Sequence, residues 1–308
     1  MKARVWIAAI ILVIWACGWG AAAERTAWPG QIDVGLALSS RKDSRLQLMG
    51  EARGSVGQDL TLRAGGWVVN GQGNKAKGFL SNAYVGLDRP HFYAAAGQKF
   101  VVFGPAGLLV SPGARGGEVV LKGWPISLQL LGGRTQFTPP TGNAGRTTPN
   151  LEPILGQDRP RKEFFAARAE YDLAQGEKHQ YLGLNALWVA SKSGASVDLE
   201  VPAGGGKIFY AEVSTFDGTS AELGGMRLTD LGKYLHTSRE TALDIFWRKV
   251  PEDYTPAVVG ATQYYADREG LALGLYHRMS GLSAVGLYGD SRGVMVNFFR
   301  YFSLGPAK

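Results

Sequence analysis

The chain of 308 residues has a single cysteine, Cys17, which excludes a disulfide framework within one chain and a cysteine-based metal site. It has four histidines, at positions 91, 179, 236 and 277, and none of them stands in a metal-binding motif. No nucleophile elbow and no phosphate-cradling loop occurs. The expectation is therefore a protein that is not an enzyme and carries no metal and no cofactor. The one pair worth attention is His277 with Ser283 across a hairpin, where a register slip of one residue decides whether they share a face. Charged side chains make up only 19% of the sequence, too few for the surface of an ordinary water-soluble domain. Long helix-period segments are absent. Beyond the N-terminal stretch no apolar run reaches the roughly 18 residues that a membrane helix needs.

What the chain has in plenty is glycine (43 residues) and aromatic residues (8 Trp, 12 Tyr, 13 Phe), within a sequence that is 45% hydrophobic. That combination points to an all-β chain with many tight turns. The N-terminus reads as an export signal over residues 1–23. Lys2 and Arg4 precede the apolar stretch Val5–Cys17, and Ala21-Ala22-Ala23 supplies the small-residue cleavage pattern. The mature chain then begins near Glu24, and residues 24–308 form a single domain. Two alternatives stay open: an uncleaved anchor, and lipidation of Cys17. For lipidation, Ile14-Trp15-Ala16-Cys17 resembles a lipobox with Trp15 out of pattern.

The remainder is a succession of runs of about ten residues with alternating polarity, the pattern of transmembrane strands. In Gln31–Ser39, Ile32, Val34, Leu36 and Leu38 share one face, and Gln31, Asp33 and Ser39 the other. The other runs are Arg45–Arg53, Asp59–Ala64, Phe79–Leu87, Phe92–Gln98, Glu118–Trp124, Ile126–Arg134, Phe164–Asp172, Tyr181–Val189, Ser196–Val201, Lys207–Thr215, Thr241–Lys249, Val258–Ala266, Leu271–Arg278, Leu282–Gly289 and Val294–Phe302. The expected fold is a closed antiparallel transmembrane β-barrel of about 16 strands, within 14–18. The connections support it. The longest, Val69–Gly78, Lys99–Gly117, Gln136–Glu163 and Phe216–Glu240, all leave the same end of such a barrel. A strand at Ala221–Leu228 would break that order or raise the count.

Parity assigns the charged residues to the inward face. The candidate pore-lining residues are Arg45, Glu51, Arg53, Arg63, Glu118, Lys122, Arg168, Glu170, Glu212, Asp244, Arg248 and Arg278. Opposed charges there either set up a transverse field in a wet lumen or pair across strands and fill it. Trp67, Trp124, Trp188 and Trp247 fall near strand ends, where aromatic girdles sit. Gly97–Ser111, GQKFVVFGPAGLLVS, is too apolar for a solvated loop and too broken by glycine and proline for a long strand. It is expected either to fold into the bore, with Lys99, Phe103, Pro105 and Leu108 forming a constriction, or to be a hairpin with a strand at Gly107–Val110.

Two local features carry a resemblance. Val294, Val296, Phe298 and Phe302 resemble the final strand of Gram-negative outer-membrane barrels, with Arg300 and the overhang Ser303–Lys308 as departures from that pattern. GQKFVVFG at Gly97–Gly104 is similar to a run in phosphate-selective and sugar-type porins. The resemblance to porin-type barrels implies an outer-membrane location, outer-membrane lipid and lipopolysaccharide as surroundings, and assembly by the barrel assembly machinery. It also implies a pore for passive diffusion of small polar or anionic solutes, with the Gly97–Ser111 segment as the loop that enters the bore. The net charge of +7, or +5 without Lys2 and Arg4, and the basic loop residues Arg41, Lys42, Lys75, Lys77, Arg146, Arg159, Arg161 and Lys162 suit an anionic surface and give no argument for nucleic acid. The competing expectations are a non-conducting barrel that binds envelope polysaccharide or lipid, and a secreted soluble β-sandwich or propeller. The sequence does not specify an oligomeric state.

Overall fold

In the computed structural model the described residues are 30–39, 45–56, 59–70, 76–110, 113–123, 125–137, 162–173, 180–229, 231–235, 240–254, 268–280, 283–291 and 293–303. Along β1, β2 and parts of other strands the description is of the backbone alone. The expected signal segment and Cys17 lie outside the described residues, as do Val258–Ala266 and the basic loop residues Arg41, Lys42, Lys75, Arg146, Arg159 and Arg161.

The strands are β1 (Gly30–Ser39), β2 (Arg45–Val56), β3 (Leu60–Asn70), β4 (Ala76–Asp88), β5 (Phe92–Phe100), β6 (Gly113–Leu121), β7 (Ile126–Phe137), β8 (Glu163–Asp172), β9 (Tyr181–Val189), β10 (Lys192–Gly204), β11 (Lys207–Phe216), β12 (Thr219–Leu228), β13 (Thr241–Val250), β14 (Arg268–Ser280), β15 (Ser283–Asp290) and β16 (Gly293–Ser303), with one short helix, α1 (Leu231–Tyr234), before β13. Each strand pairs antiparallel with the next. β1 pairs with β16 from Gln31 opposite Ser303 to Ser39 opposite Met295, so the sheet closes on itself. Closure satisfies the backbone groups of what would otherwise be two sheet edges.

Sixteen strands are thus present among the described residues, but they are not the sixteen runs read from the sequence. Ala221–Leu228 belongs to β12, joined to β11 by Asp217-Gly218, both with positive φ (52° and 85°), as a two-residue hairpin turn requires. Phe216–Glu240 is therefore not one long connection. β13 pairs directly with β14, from Thr241 opposite His277 to Val250 opposite Arg268, so no strand stands between them in the wall. The alternation in β12 is hidden by Gly224-Gly225. Gly225 is needed because a Cβ there would lie 2.5 Å from the Phe246 Cβ on β13. Three long connections, 101–112, 138–162 and 251–267, leave one end of the barrel, but 229–240, as long as 101–112, leaves the other, so the longest connections do not all share one end as expected.

The outward face is apolar. Leu128, Leu130, Phe165, Leu184, Trp188, Val197, Phe209, Val213, Trp247, Leu271 and Leu273 all stand exposed, Val213 at 54% and Leu271 at 59%. So much contiguous exposed hydrocarbon suits a lipid environment rather than water. The Phe165 and Trp188 rings meet at 5.6 Å toward the end with the long connections.

The inward face of β7–β14 is also apolar at that end. Leu131, Phe164, Leu187, Phe216, Leu223, Phe246 and Ala272 are buried there. What buries them is residues 101–110, which form no strand. The segment turns at Gly104 and Gly107 (φ 77° and 63°) and is closed by the Phe103 N–H donating to the Val110 carbonyl at 2.9 Å. Leaving β5, it reaches the wall at β10–β12, where the Leu109 side chain packs over Gly194.

Candidate functional site in the barrel interior

The interior falls into two parts. Under the inserted loop lies a sealed polar network. Arg168 on β8 donates to both oxygens of Asp198 on β10, at 2.6 and 3.0 Å. Its Nε and Nη2 reach Glu170 Oε2 at 3.0 and 2.8 Å, and Nη1 also reaches Asn185 Oδ1 at 2.7 Å. The guanidinium can lie flat across β9 because position 183 is glycine; a Cβ there would be 2.4 Å from Arg168 Nη1. Asn185 donates onward to Ser196 Oγ at 2.8 Å and to Asp198 Oδ2 at 2.6 Å. Further round the wall, Arg227 pairs with Asp244 at 2.9 Å and Arg248 with Asp290 at 2.7 Å. Charges this deeply buried persist because each has a partner with additional hydrogen bonds.

Glu212 on β11 connects that network to the loop. Its carboxylate accepts the backbone N–H of Leu108 at 2.9 Å and of Ala106 at 3.2 Å. A second fastening comes from Tyr254, just beyond β13. The Tyr254 hydroxyl donates to the Leu108 carbonyl at 3.3 Å and lies 2.5 Å from Ser214 Oγ. Burial pushes the Tyr254 phenol up from its ordinary pKa, so it stays protonated and keeps its proton for that bond.

On β3–β5 the inward side chains of Arg63, Tyr84, Tyr93 and Lys99 keep partial exposure, while Glu118 on β6 is buried. Arg63 lies over the Tyr84 ring at 6.0 Å, and the Lys99 ammonium is 5.1 Å from the Tyr84 centroid and 4.9 Å from that of Tyr93. Lys99 forms an ion pair with Glu118, whose other oxygen accepts from Gln129 Nε2 at 2.5 Å.

Of the charged residues that parity turns inward, the structure brings Arg168, Glu170 and Glu212 together under the loop, sets Asp244 and Arg248 in separate buried pairs with Arg227 and Asp290, and brings Glu118 to Lys99. Arg63 stands by Tyr84. Lys122 lies past the end of β6, exposed, held by Asp88 and by the Arg89 carbonyl at 3.0 Å. Arg278 sits exposed at the barrel rim, 3.6 Å from Glu240, where the β14–β15 register shifts. On β2 the register sets Arg45, Glu51 and Arg53 opposite Ala37, Gly65 and Arg63 respectively. Of the expected constriction residues, Phe103, Pro105 and Leu108 are buried in the inserted loop, and Lys99 belongs to β5. Trp188 and Trp247 face outward, and the side chains of Trp67 and Trp124 are outside the described residues. His277 Nδ1 is 2.8 Å from Thr241 Oγ1, on the outward face of β14.

Asp198 and Asn185 complete the network, Arg227 and Asp290 complete the two separate pairs, and none of the four was singled out from the sequence. Asp198 was accessible, since it alternates with Val197 and Leu199. Arg227 required recognition of β12 first.

This architecture is a transmembrane β-barrel of the porin type. Among solved structures it is similar to Pseudomonas putida OprB at low pH, with a TM-score of 0.52 and 10% identity, covering 94% of this chain and 96% of that one. Two variants of the Rh. blastica porin match with TM-scores of 0.51 and 0.50, again at 10% identity, covering 90% of this chain and 99% of theirs. No family model matches the chain. No curated protein matches it in sequence.

Proposed function

We propose that the protein is an outer-membrane pore through which small polar solutes, anions among them, diffuse passively. The observation that carries this reading is the asymmetry of the interior. The segment after β5 crosses to the β10–β12 wall and is buried over residues 103–110, while Arg63, Tyr84, Tyr93 and Lys99 on β3–β5 keep partial exposure. A path beside the loop would be lined by these four side chains, with residues 101–110 as its other wall. Water and ions pass where a lumen keeps charged and hydroxyl groups accessible. An export signal over 1–23, insertion by the barrel assembly machinery and contact with lipopolysaccharide belong to the same reading. It involves no catalytic step.

The test is planar-bilayer recording of the refolded protein. Discrete conductance steps are expected. A correctly folded barrel that inserts and carries no current supports the second reading, a closed barrel that binds an envelope polysaccharide or lipid. That alternative is favoured by one observation, the complete burial of Phe103, Ala106, Leu108, Leu109 and Val110 against an apolar inner wall.

A further inference from the structure

We infer that Glu118 sets the charge preference of the pore by neutralising Lys99 and holding it against the wall, an inference that rests on the conducting reading above. The register supplies the reason. Lys99 on β5 stands opposite Ala114, and Glu118 on β6 stands opposite Ala95; between these two pairs lies Gly97 opposite Gly116. No side chain rises between them, so the lysine stem lies back along the wall over the two glycines and reaches the carboxylate. Neither glycine can be replaced cheaply. A Cβ on Gly97 would lie 2.3 Å from the Ala83 carbonyl oxygen, and one on Gly116 would lie 2.0 Å from that of Gly132.

The ammonium is then enclosed on three sides. Tyr84 and Tyr93 present ring faces to it, the Tyr93 hydroxyl accepts from it at 3.3 Å, and Glu118 pairs with it. Glu118 is in turn fixed by Gln129. The lysine side chain is 15% exposed and the glutamate 4%, so the cation is the member of the pair nearer the lumen. With its charge cancelled, Lys99 contributes little field to a passing solute; without Glu118 the same ammonium becomes a fixed positive charge at the wall. Fixed charge in a narrow, low-dielectric passage changes the local ion concentration severalfold.

The experiment is the reversal potential across a salt gradient at low ionic strength for the wild type, Glu118→Gln, Lys99→Met and the double variant. Glu118→Gln is expected to raise the anion-to-cation permeability ratio about threefold or more, and Lys99→Met to lower it by a similar factor. The double variant is expected to return close to the wild-type ratio, a cancellation that a merely structural role would not produce. A conducting Glu118→Gln barrel with an unchanged reversal potential, or one shifted in the same direction as Lys99→Met, overturns the inference and leaves the pore reading intact. A folded wild type that conducts nothing overturns the pore reading, and this inference with it. If Glu118→Gln fails to fold, Lys99→Met decides alone, and the absence of a shift toward cations overturns the inference.

Discussion

Glu212 illustrates how one side chain can position a whole segment. Its carboxylate is fully buried, accepts two backbone N–H groups of the loop, and stands beside Asp198 around Gly104. Glu212→Ala removes the acceptor for both N–H groups in a place water does not reach, at a cost of about 1–3 kcal/mol for each donor left bare. The expected outcome is a lower temperature for conversion of the folded to the unfolded gel band, with added open-channel current noise as the loop loosens. Glu212→Gln keeps one acceptor oxygen, and its effect should fall between those of wild type and alanine. Gly104→Ala acts on the same contact from the other side. Its backbone has φ of 77°, and its Cβ would meet Glu212 Oε2 at 2.9 Å and Asp198 Oδ2 at 3.0 Å. Thermal stability should drop by roughly 1–3 kcal/mol through backbone strain and displaced carboxylates. An unaltered melting profile in both Glu212→Ala and Gly104→Ala would show that the loop is held by its apolar packing alone.

At the scale of elements, the loop and the inner wall are made for each other. An inward-facing Phe164, Leu187, Phe216 or Leu223 would be misplaced in a water-filled bore, and an apolar loop would be misplaced in solvent; each buries the other. Deleting Pro105–Val110 removes the segment that crosses the bore and also the Val110 carbonyl that closes it. The expected result is a conductance about twofold higher or more in a barrel that still inserts, because the closed wall does not depend on the loop. Unchanged conductance would mean that the segment stands clear of the permeation path. The strands were legible in the sequence because lipid on one side forces every second residue to be apolar. Where that constraint slackens the reading failed: Gly224-Gly225 erased the alternation in β12, although Ala221 and Leu223 face inward and Met226 outward. The loop's burial was legible from its own composition. Which wall it meets was not, because the contact between Leu108 and Glu212 joins positions far apart in the chain, and no local pattern specifies such a partner.

For the molecule as a whole, closure and charge give the remaining measurements. A sheet with no free edge unfolds only by breaking a complete ring of strand pairs, so the unheated protein should migrate differently from the boiled protein on a denaturing gel. Identical migration, with solubility in water without detergent, would contradict a membrane barrel. Charge selectivity is the subtler property. The buried pairs Arg227–Asp244 and Arg248–Asp290 cancel within the wall, as does Lys99–Glu118, while Arg168 is shared by Asp198 and Glu170. Little net field from those pairs reaches a solute, which leaves the basic connections at the mouth, where Lys162 is exposed and Arg159 and Arg161 precede it in sequence. Mouth charge concentrates counter-ions over about a Debye length, roughly 10 Å at 0.1 M salt and 3 Å at 1 M. The expected outcome is a weak anion preference at 0.1 M that fades toward 1 M, and that is reduced at low salt by replacing Arg159, Arg161 and Lys162 with glutamine. A preference that survives at 1 M would move its origin from the mouth to a fixed charge at the narrowest point. Arg63, which stands over Tyr84 on the half-buried side of the bore, would then be the next residue to replace.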